Sequence, residues 1–262
     1  MRLDRLRGRR AVVTGASSGM GREFAVQLAA AGSNLVLVAR RRERLEELAV
    51  DLRGRHDVQV DVMDLDLTSE ESREQLCSDL EKDGKDVDVL VNNAGFGIYG
   101  PFHETAWERV RYLIELDVAA LVHLTHLFLP GMRARGSGYV LQVGSTAAYQ
   151  PTPLYGVYAA AKSFVLLFGE ALNHELSRTG VSCTVLSPGQ TLTEFHEVSG
   201  QELTLYQRLT MMPPEKVVRC GLRGMLGRRS NVVPGLFNWF MAWNTRFVPR
   251  RLSAIAAHML MR

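Results

Sequence analysis

Cysteine is scarce in this chain: Cys77, Cys183 and Cys220 are the only three among 262 residues, and they lie far apart. That excludes a disulfide scaffold, offers no metal-ligand spacing, and suits a reducing compartment. Long uncharged apolar runs are also missing. The longest uncharged stretch, from Ser137 to Ala161, is broken by Pro151, Pro153 and several glycines, so it predicts no membrane helix. The basic start, MRLDRLRGRR, runs straight into a strand-like AVVTG without the apolar stretch and cleavage site of a secretory signal, which predicts a cytoplasmic protein. Acid is absent from the carboxy-terminal end. Residues 216–262 hold nine basic side chains and no Asp or Glu; the whole chain carries +3, so residues 1–215 carry −6, the difference between +3 and +9. Such an asymmetry fits an anionic partner, and equally an amphipathic surface helix coated with arginine. With 46% apolar and 23% charged residues, the remainder is the balance of a soluble globular chain, not of a disordered one.

Short β-branched runs alternate with segments of helical periodicity. RAVVT (10–14) precedes a glycine-rich turn and the helical REFAVQLAAAG, which Gly32 ends. Strands follow at 34–39, 58–65, 87–92, 139–143, 181–186 and near Val232, with helices at about 42–53, 69–83, 105–134, 158–179 and from Pro214. Continuous apolar strands separated by helices predict an α/β fold: a doubly wound parallel β-sheet of the Rossmann type, with helices on both faces, in a single domain spanning 1–262. Two stretches break the rhythm. Residues 190–213 are long for a connection and mixed in polarity, which predicts a substrate-covering loop, and Phe195, Leu203, Met211 and Met212 give it an apolar inventory suited to a greasy pocket. Residues 235–262 form an extension rich in aromatics and arginine, read either as a surface for anionic lipid, as a cover over the site, or as a subunit-interface tail.

Thr14-Gly15-Ala16-Ser17-Ser18-Gly19-Met20-Gly21 opens the first helix. Glycines there allow a sharp turn and close approach of the backbone to a pyrophosphate, while the helix amino terminus offers unpaired N–H groups. At the end of the second strand, where an acid would bond a ribose 2′-hydroxyl, stand Arg40, Arg41 and Arg42. A basic cluster there pairs with a 2′-phosphate and predicts NADP(H), although the same arginines fit a solvated helix start. Tyr158 and Lys162 are four apart on one helix face, and with seven tyrosines and four lysines in the chain such a pair arises by chance about 0.1 times. An ammonium one turn from a phenol favours the phenolate and makes it an acid–base group. Ser145, just past the preceding strand, is placed to hold a substrate oxygen.

Taken together, TGASSGMG (14–21), Asp66-Leu67-Thr68, NNAG (92–95), Ser145, YAAAK (158–162) and PGQTLT (188–193) resemble the short-chain dehydrogenase/reductase family in its single-domain form, over residues 8–235. The wording NNAGFG and ARRRERL is similar to ketoreductases that include acyl- and steroid-type dehydrogenases. The resemblance implies that Gly15, Gly19 and Gly21 shape the pyrophosphate turn beside Met20, and that Ser17 and Ser18 hold a 2′-phosphate with Arg40 and Arg41. It implies that Asp66 bonds the adenine amine next to Leu67, and that Asn92, Ala94 and Gly95 brace the central strand and wall the adenosine site. Asp66 also fits a helix cap before Ser69. Tyr158 passes a proton to the substrate, Lys162 grips the nicotinamide ribose and lowers the tyrosine pKa, and Pro188, Gly189, Thr191 and Thr193 border the nicotinamide. Two positions depart from the family pattern. Asp117 stands where an asparagine usually holds a relay water; its charge pairs with Lys162 and weakens that lysine's effect on Tyr158. Thr191 replaces an aliphatic residue.

His123 and His126 are three apart, but the sequence sets no carboxylate beside them at ligand spacing, so no metal site is expected. No base-reading motif appears, and nucleic acid is not an expected partner. The resulting expectation is an NADP(H)-dependent oxidoreductase that exchanges a hydride with a carbonyl or alcohol, in the reductive direction on a lipophilic ketone or 3-oxoacyl substrate. Family habit adds a homodimer or homotetramer through the 105–134 and 158–179 helices, and the extension adds possible peripheral membrane contact. The competing reading is a catalytically weak NADP-binding regulator or membrane-associated adaptor.

Overall fold

Alternation within the strands decides the architecture, because side chains of odd and even parity must both be buried. Val12, Val36, Val38 and Leu90 pack on one side of the sheet, and Val13, Leu35, Leu37 and Val91 on the other. The computed structural model describes residues 3–195, 199–201, 204, 207 and 210–261. Its seven strands are β1 Arg10–Thr14, β2 Asn34–Ala39, β3 Val60–Asp64, β4 Val89–Asn92, β5 Gly138–Val143, β6 Val181–Leu186 and β7 Asn231–Val232. They form one sheet in the order β3-β2-β1-β4-β5-β6-β7, with every pairing parallel. Helices α1 Gly19–Ala30, α2 Arg42–Arg55 and α7 Pro214–Leu226 cover one face through Phe24, Leu28, Leu45, Leu52, Val218 and Leu222. The other face carries α3 Glu70–Lys82, α5 Leu121–Ala134 and α6 Gly156–Glu175, which bury Leu76, Leu80, Leu124, Phe128 and Leu172. A fully buried leucine of this kind contributes roughly 1.5–3 kcal/mol.

The expected long helix is present but not uniform. It runs as α4 Trp107–Ile114, a π-helical turn Glu115–Ala120, and α5. A π turn holds one more residue than an α turn and commonly sits at functional sites; here it carries Asp117. By length and composition the run Trp107–Ala134 is apolar enough to cross a membrane. In the fold, Leu113, Leu124 and Met132 from this run are instead buried in the core.

Strand order reverses between β1 and β4, and the two chains part at their carboxyl ends, leaving the crevice where parallel α/β sheets bind ligands. Beyond β7, residues 236–261 fold as two helices, α8 Leu236–Asn244 and α9 Arg250–Met261. They close over the crevice from the β6–β7 side, so the carboxy-terminal extension is part of the site's wall.

Candidate active site

A cavity of about 770 Å³ opens at the carboxyl ends of the strands. Its floor at β1 is the glycine turn. Gly15 has φ +66°, and a side chain there would also run into Asn93 and Ala94. Gly19 has φ +52° and lies against Thr193. Ser18 is extended and caps α1 with its backbone alone, leaving the first N–H groups of the helix facing the cavity. Ser17 and Met20 line the same wall, while Gly21 lies behind it, so close to the Gly15 carbonyl that no Cβ fits. The turn is thus an open cradle with free donors, which fits the phosphates of a dinucleotide.

Toward β2 and β3 the polar groups are more tightly tied than spacing alone shows. Asp66 accepts from the Thr68 backbone N–H (3.0 Å) and hydroxyl (2.9 Å) and from the Tyr112 hydroxyl (3.2 Å). Burial lifts the Asp66 carboxyl, but the Thr68 bonds and the Arg40 charge outweigh it and hold the group below its usual range. The cap of α3 is Ser69, which accepts from the Ser72 N–H, so Asp66 is not that cap. Leu67 lines the wall beside it. Arg40 donates to Tyr112 (2.6 Å) and lies over its ring, whereas Arg41 reaches Ser17 (3.1 Å) and Ser18 (2.7 Å). Of the two arginines, Arg41 is the one that contacts both serines.

Asn92 needs a correction. It does not line the cavity but is buried, donating to Leu121 O, Thr125 Oγ1 and Gln142 Oε1, where it ties β4 to α5 and β5. The wall residues are Asn93, Ala94 and Gly95. Asn93 donates to the Thr14 carbonyl and holds β4 to β1.

Ser145 lies two residues past β5, and Tyr158 and Lys162 occupy the first two turns of α6. Ser145 and Tyr158 both line the cavity, and the Lys162 ammonium sits 5.6 Å from the Tyr158 ring centre. Behind them Asp117 is fully buried, with Oδ2 3.0 Å from Lys162 Nζ and Oδ1 accepting from the Phe96 N–H. Gly95 permits this approach, since a Cβ there would lie 2.8 Å from Asp117 Oδ2. Lys162 also donates to the Val143 carbonyl (3.1 Å).

The charges settle the state of the phenol. Burial raises the Tyr158 pKa; Lys162 and the Ser145 bond pull it down, and Asp117 opposes them, leaving the phenol above its usual value. Burial works against the Lys162 ammonium, yet Asp117 and Tyr158 outweigh it and keep the lysine protonated. The expectation of an unusually acidic tyrosine is therefore corrected for the free protein: burial above all outweighs the pull of Lys162, and Asp117 adds a smaller push in the same direction.

Pro188, Gly189, Thr191 and Thr193 all border the cavity just past β6. Gly189 packs on Asn238 of α8, which leaves no space for a side chain there. Phe195 lines the pocket and packs at a tilt against the Tyr158 ring. Neither Met211 nor Met212 reaches it; Met212 pairs with Thr191 in a β-bridge, and the methionines in the wall are Met20 and, from α8, Met241. Leu203 lies outside the described residues. Whereas Asn93 stands inside the NNAG motif, Tyr112, Asn238 and Met241 escape a reading by spacing, because each joins the site from an element distant in sequence. The same holds for His123: Glu70 and Glu74 of α3 come within 4.8 Å of it, correcting the expectation that no carboxylate accompanies it. Arg73, itself buried, donates to His123 Nδ1 and sets a positive charge there.

Comparison with known proteins gives the same picture. A very-long-chain 3-oxoacyl-CoA reductase of Phaeosphaeria nodorum is 31% identical over 94% of this chain and 73% of its own length. The chain spans 52% of the length of several other fungal reductases of that name. Among solved structures, a short-chain dehydrogenase from Sphingobium yanoikuyae in complex with NADPH is 32% identical, with a TM-score of 0.82 over 91% of this chain and 94% of that one. A 7β-hydroxysteroid dehydrogenase is 26% identical and superposes with a TM-score of 0.88 over 98% and 99% of the two chains. The family model described as short chain dehydrogenase matches residues 9–203. With that match extending from the glycine turn past the Tyr158–Lys162 pair, the chain belongs to the short-chain dehydrogenase family.

Proposed function

We propose that this protein is an NADP(H)-dependent oxidoreductase that reduces a lipophilic ketone or 3-oxoacyl substrate. The observation that carries this reading is the convergence of Ser145, Tyr158 and Lys162 on one cavity whose opposite end holds Ser17, Ser18 and Arg41. When bound, the nicotinamide supplies the hydride. The protein's own residues do the rest. The glycine turn and the Arg41–Ser17–Ser18 group bind the nucleotide, with Asp66 and Arg40 at its adenine side. Ser145 donates a hydrogen bond to the substrate oxygen, and Tyr158 delivers a proton to it. Lys162, held protonated 3.0 Å from Asp117, favours the phenolate that proton delivery leaves on Tyr158, and Asp117 completes the relay behind it.

Burial raises the Tyr158 phenol, which supports its part as the proton donor that reduction uses. The substrate class follows from the walls. Phe195, Met241, Ala242, Ala257 and Leu260 line the side away from the phosphate cradle. Such a surface suits an apolar chain. Asp117 is no argument for a regulator without chemistry, because it leaves the proton donor and its lysine in place. Consumption of NADPH with a panel of long-chain 3-oxoacyl thioesters and bulky ketones tests the reading. Turnover is expected to rise with chain length. A protein that binds NADPH and consumes none with any member of the panel favours the adaptor.

The surface supports two further assignments of partner. Trp107 and Ile114 on α4 and Phe164 and Leu167 on α6 are exposed, which favours a homodimer or homotetramer through these helices. On α8, Trp239 and Trp243 are stacked and exposed, with Phe240 also exposed, and Arg246, Arg250 and Arg251 follow in a stretch without acid. Aromatics beside unopposed arginines suit the surface of an anionic bilayer, which also holds lipophilic substrates. Sedimentation is expected to give a mass above the 29.2 kDa monomer and pelleting with phosphatidylglycerol vesicles but not phosphatidylcholine ones. A protein that stays in the supernatant with both removes the membrane contact.

A further inference from the structure

The covering segment begins with a residue that neither the glycine turn nor the proton-transfer group accounts for. Glu194 follows Thr193 and lies on the cavity rim, about 40% exposed. Its two carboxylate oxygens are shared between two arginines more than 150 positions earlier or nearly so: Oε2 accepts from Arg41 Nη1 at 3.1 Å, and Oε1 from Arg44 Nη1 at 2.7 Å. Burial raises the Glu194 carboxyl, but the two guanidinium groups outweigh it and keep it ionised.

Arg41 is the important partner. Its Nε is bonded to the Ser17 hydroxyl, its Nη2 to the Ser18 hydroxyl and its Nη1 to Glu194, so its hydrogen-bonding edges are already used. In both serine contacts the hydroxyl is the acceptor, which leaves its own O–H available to donate. The group is therefore an anion site already holding one anion, and that anion comes from the protein. Arg44 does not line the cavity, so it can retain Glu194 when Arg41 is drawn away.

We propose that Glu194 is an internal stand-in for a nucleotide 2′-phosphate: it occupies Arg41 in the free protein and yields it when a phosphorylated nucleotide binds. This rests on the NADP(H) reading above. A phosphate reaching Arg41, Ser17 and Ser18 meets a carboxylate of like charge within the same contact shell, and the two compete for one guanidinium. Glu194 thus tunes phosphate affinity, and its release couples occupancy of the nucleotide site to the start of the segment that covers the substrate. A nucleotide without the 2′-phosphate leaves the Arg41–Glu194 bridge in place and gains nothing from its removal.

Calorimetric titration of native protein and Glu194→Gln with 2′,5′-ADP and with 5′-ADP tests this without turnover. An exposed pair of this kind is worth a modest factor, so 2′,5′-ADP is expected to bind the variant about three- to fivefold more tightly, with 5′-ADP unchanged within about twofold. The gain is expected to shrink at high salt, where exposed charges are screened, and to vanish when Arg41→Gln is added. Equal weakening of both nucleotides would make the bridge a strap over any dinucleotide and overturn the proposal. A native preference for 2′,5′-ADP with no gain in the variant overturns the role of Glu194 alone. Native protein that does not distinguish the two nucleotides overturns the phosphate assignment, and this inference with it.

Discussion

Tyr158→Phe is expected to lower kcat for ketone reduction roughly 10²–10⁴-fold while leaving NADPH affinity close to native. The substitution removes one oxygen and keeps the ring, which packs at a tilt against Tyr155 at 5.7 Å and Phe195 at 5.4 Å between centroids. Losing one buried hydroxyl while the ring is kept costs about 1 kcal/mol, so a shift in Tm of only a few degrees accompanies the loss of rate. A neighbouring phenol does not replace it. The Tyr155 hydroxyl contacts Ser199 (3.1 Å) and Gln201 (2.9 Å), and burial pushes its pKa up to about 12. Steady-state kinetics with Tm and cofactor titration on the same preparation separates chemistry from folding. Retention of more than a tenth of native kcat would exclude Tyr158 as the proton donor.

Lys162→Met is expected to lose both activity and stability, because it strands a carboxylate in the interior. Asp117 is 1% exposed, and its ionic partner is this lysine. Removing one member of a buried pair costs about 3–5 kcal/mol, a fall in Tm of about 10 °C for a chain of this size. Adding Asp117→Asn to the same protein is expected to restore most of the stability and none of the rate, since the amide needs no counter-charge but Tyr158 still lacks its lysine. A double variant as unstable as Lys162→Met would show that the pair is not what holds this part of the fold.

Asp117→Asn by itself separates the charge of that residue from its hydrogen bonding. The groups that set Tyr158 are burial, Lys162, Ser145 and Asp117, and Asp117 raises the phenol. Taking its charge away leaves Lys162 unopposed, so the Tyr158 pKa falls. Reduction uses the protonated phenol and fails as pH rises through that value; oxidation uses the phenolate and climbs through it. Both limbs are therefore expected to move to lower pH in the variant. Profiles that superimpose on the native ones would remove Asp117 from the proton-transfer group.

Local spacing carried much of this site. A glycine turn after β1 and a tyrosine one helical turn ahead of a lysine are read from neighbours in the chain, and strands with both faces apolar need helices on both sides. The single-site parity of β1, β2 and β4 follows from the same rule, and so do the ends of α1 and α5, where Gly32 and Gly136 adopt positive φ. Asp117 was visible as a departure, and the weakening of Lys162 was expected from its charge; that the phenol ends above its ordinary pKa was not, because the desolvation that decides it depends on how deeply α6 is covered.

What the sequence alone determined is whatever rests on short-range periodicity: the order of elements, the parallel sheet, the phosphate turn and the catalytic pair. Only the tertiary structure decided which arginine meets the serines, that Glu194 closes on Arg41 and Arg44, that Asn92 turns inward while Asn93 faces the cavity, and that α8 and α9 form its apolar wall. These contacts join residues tens to hundreds of positions apart, and their energies depend on distance and burial in space, neither of which the spacing of residues along a chain encodes.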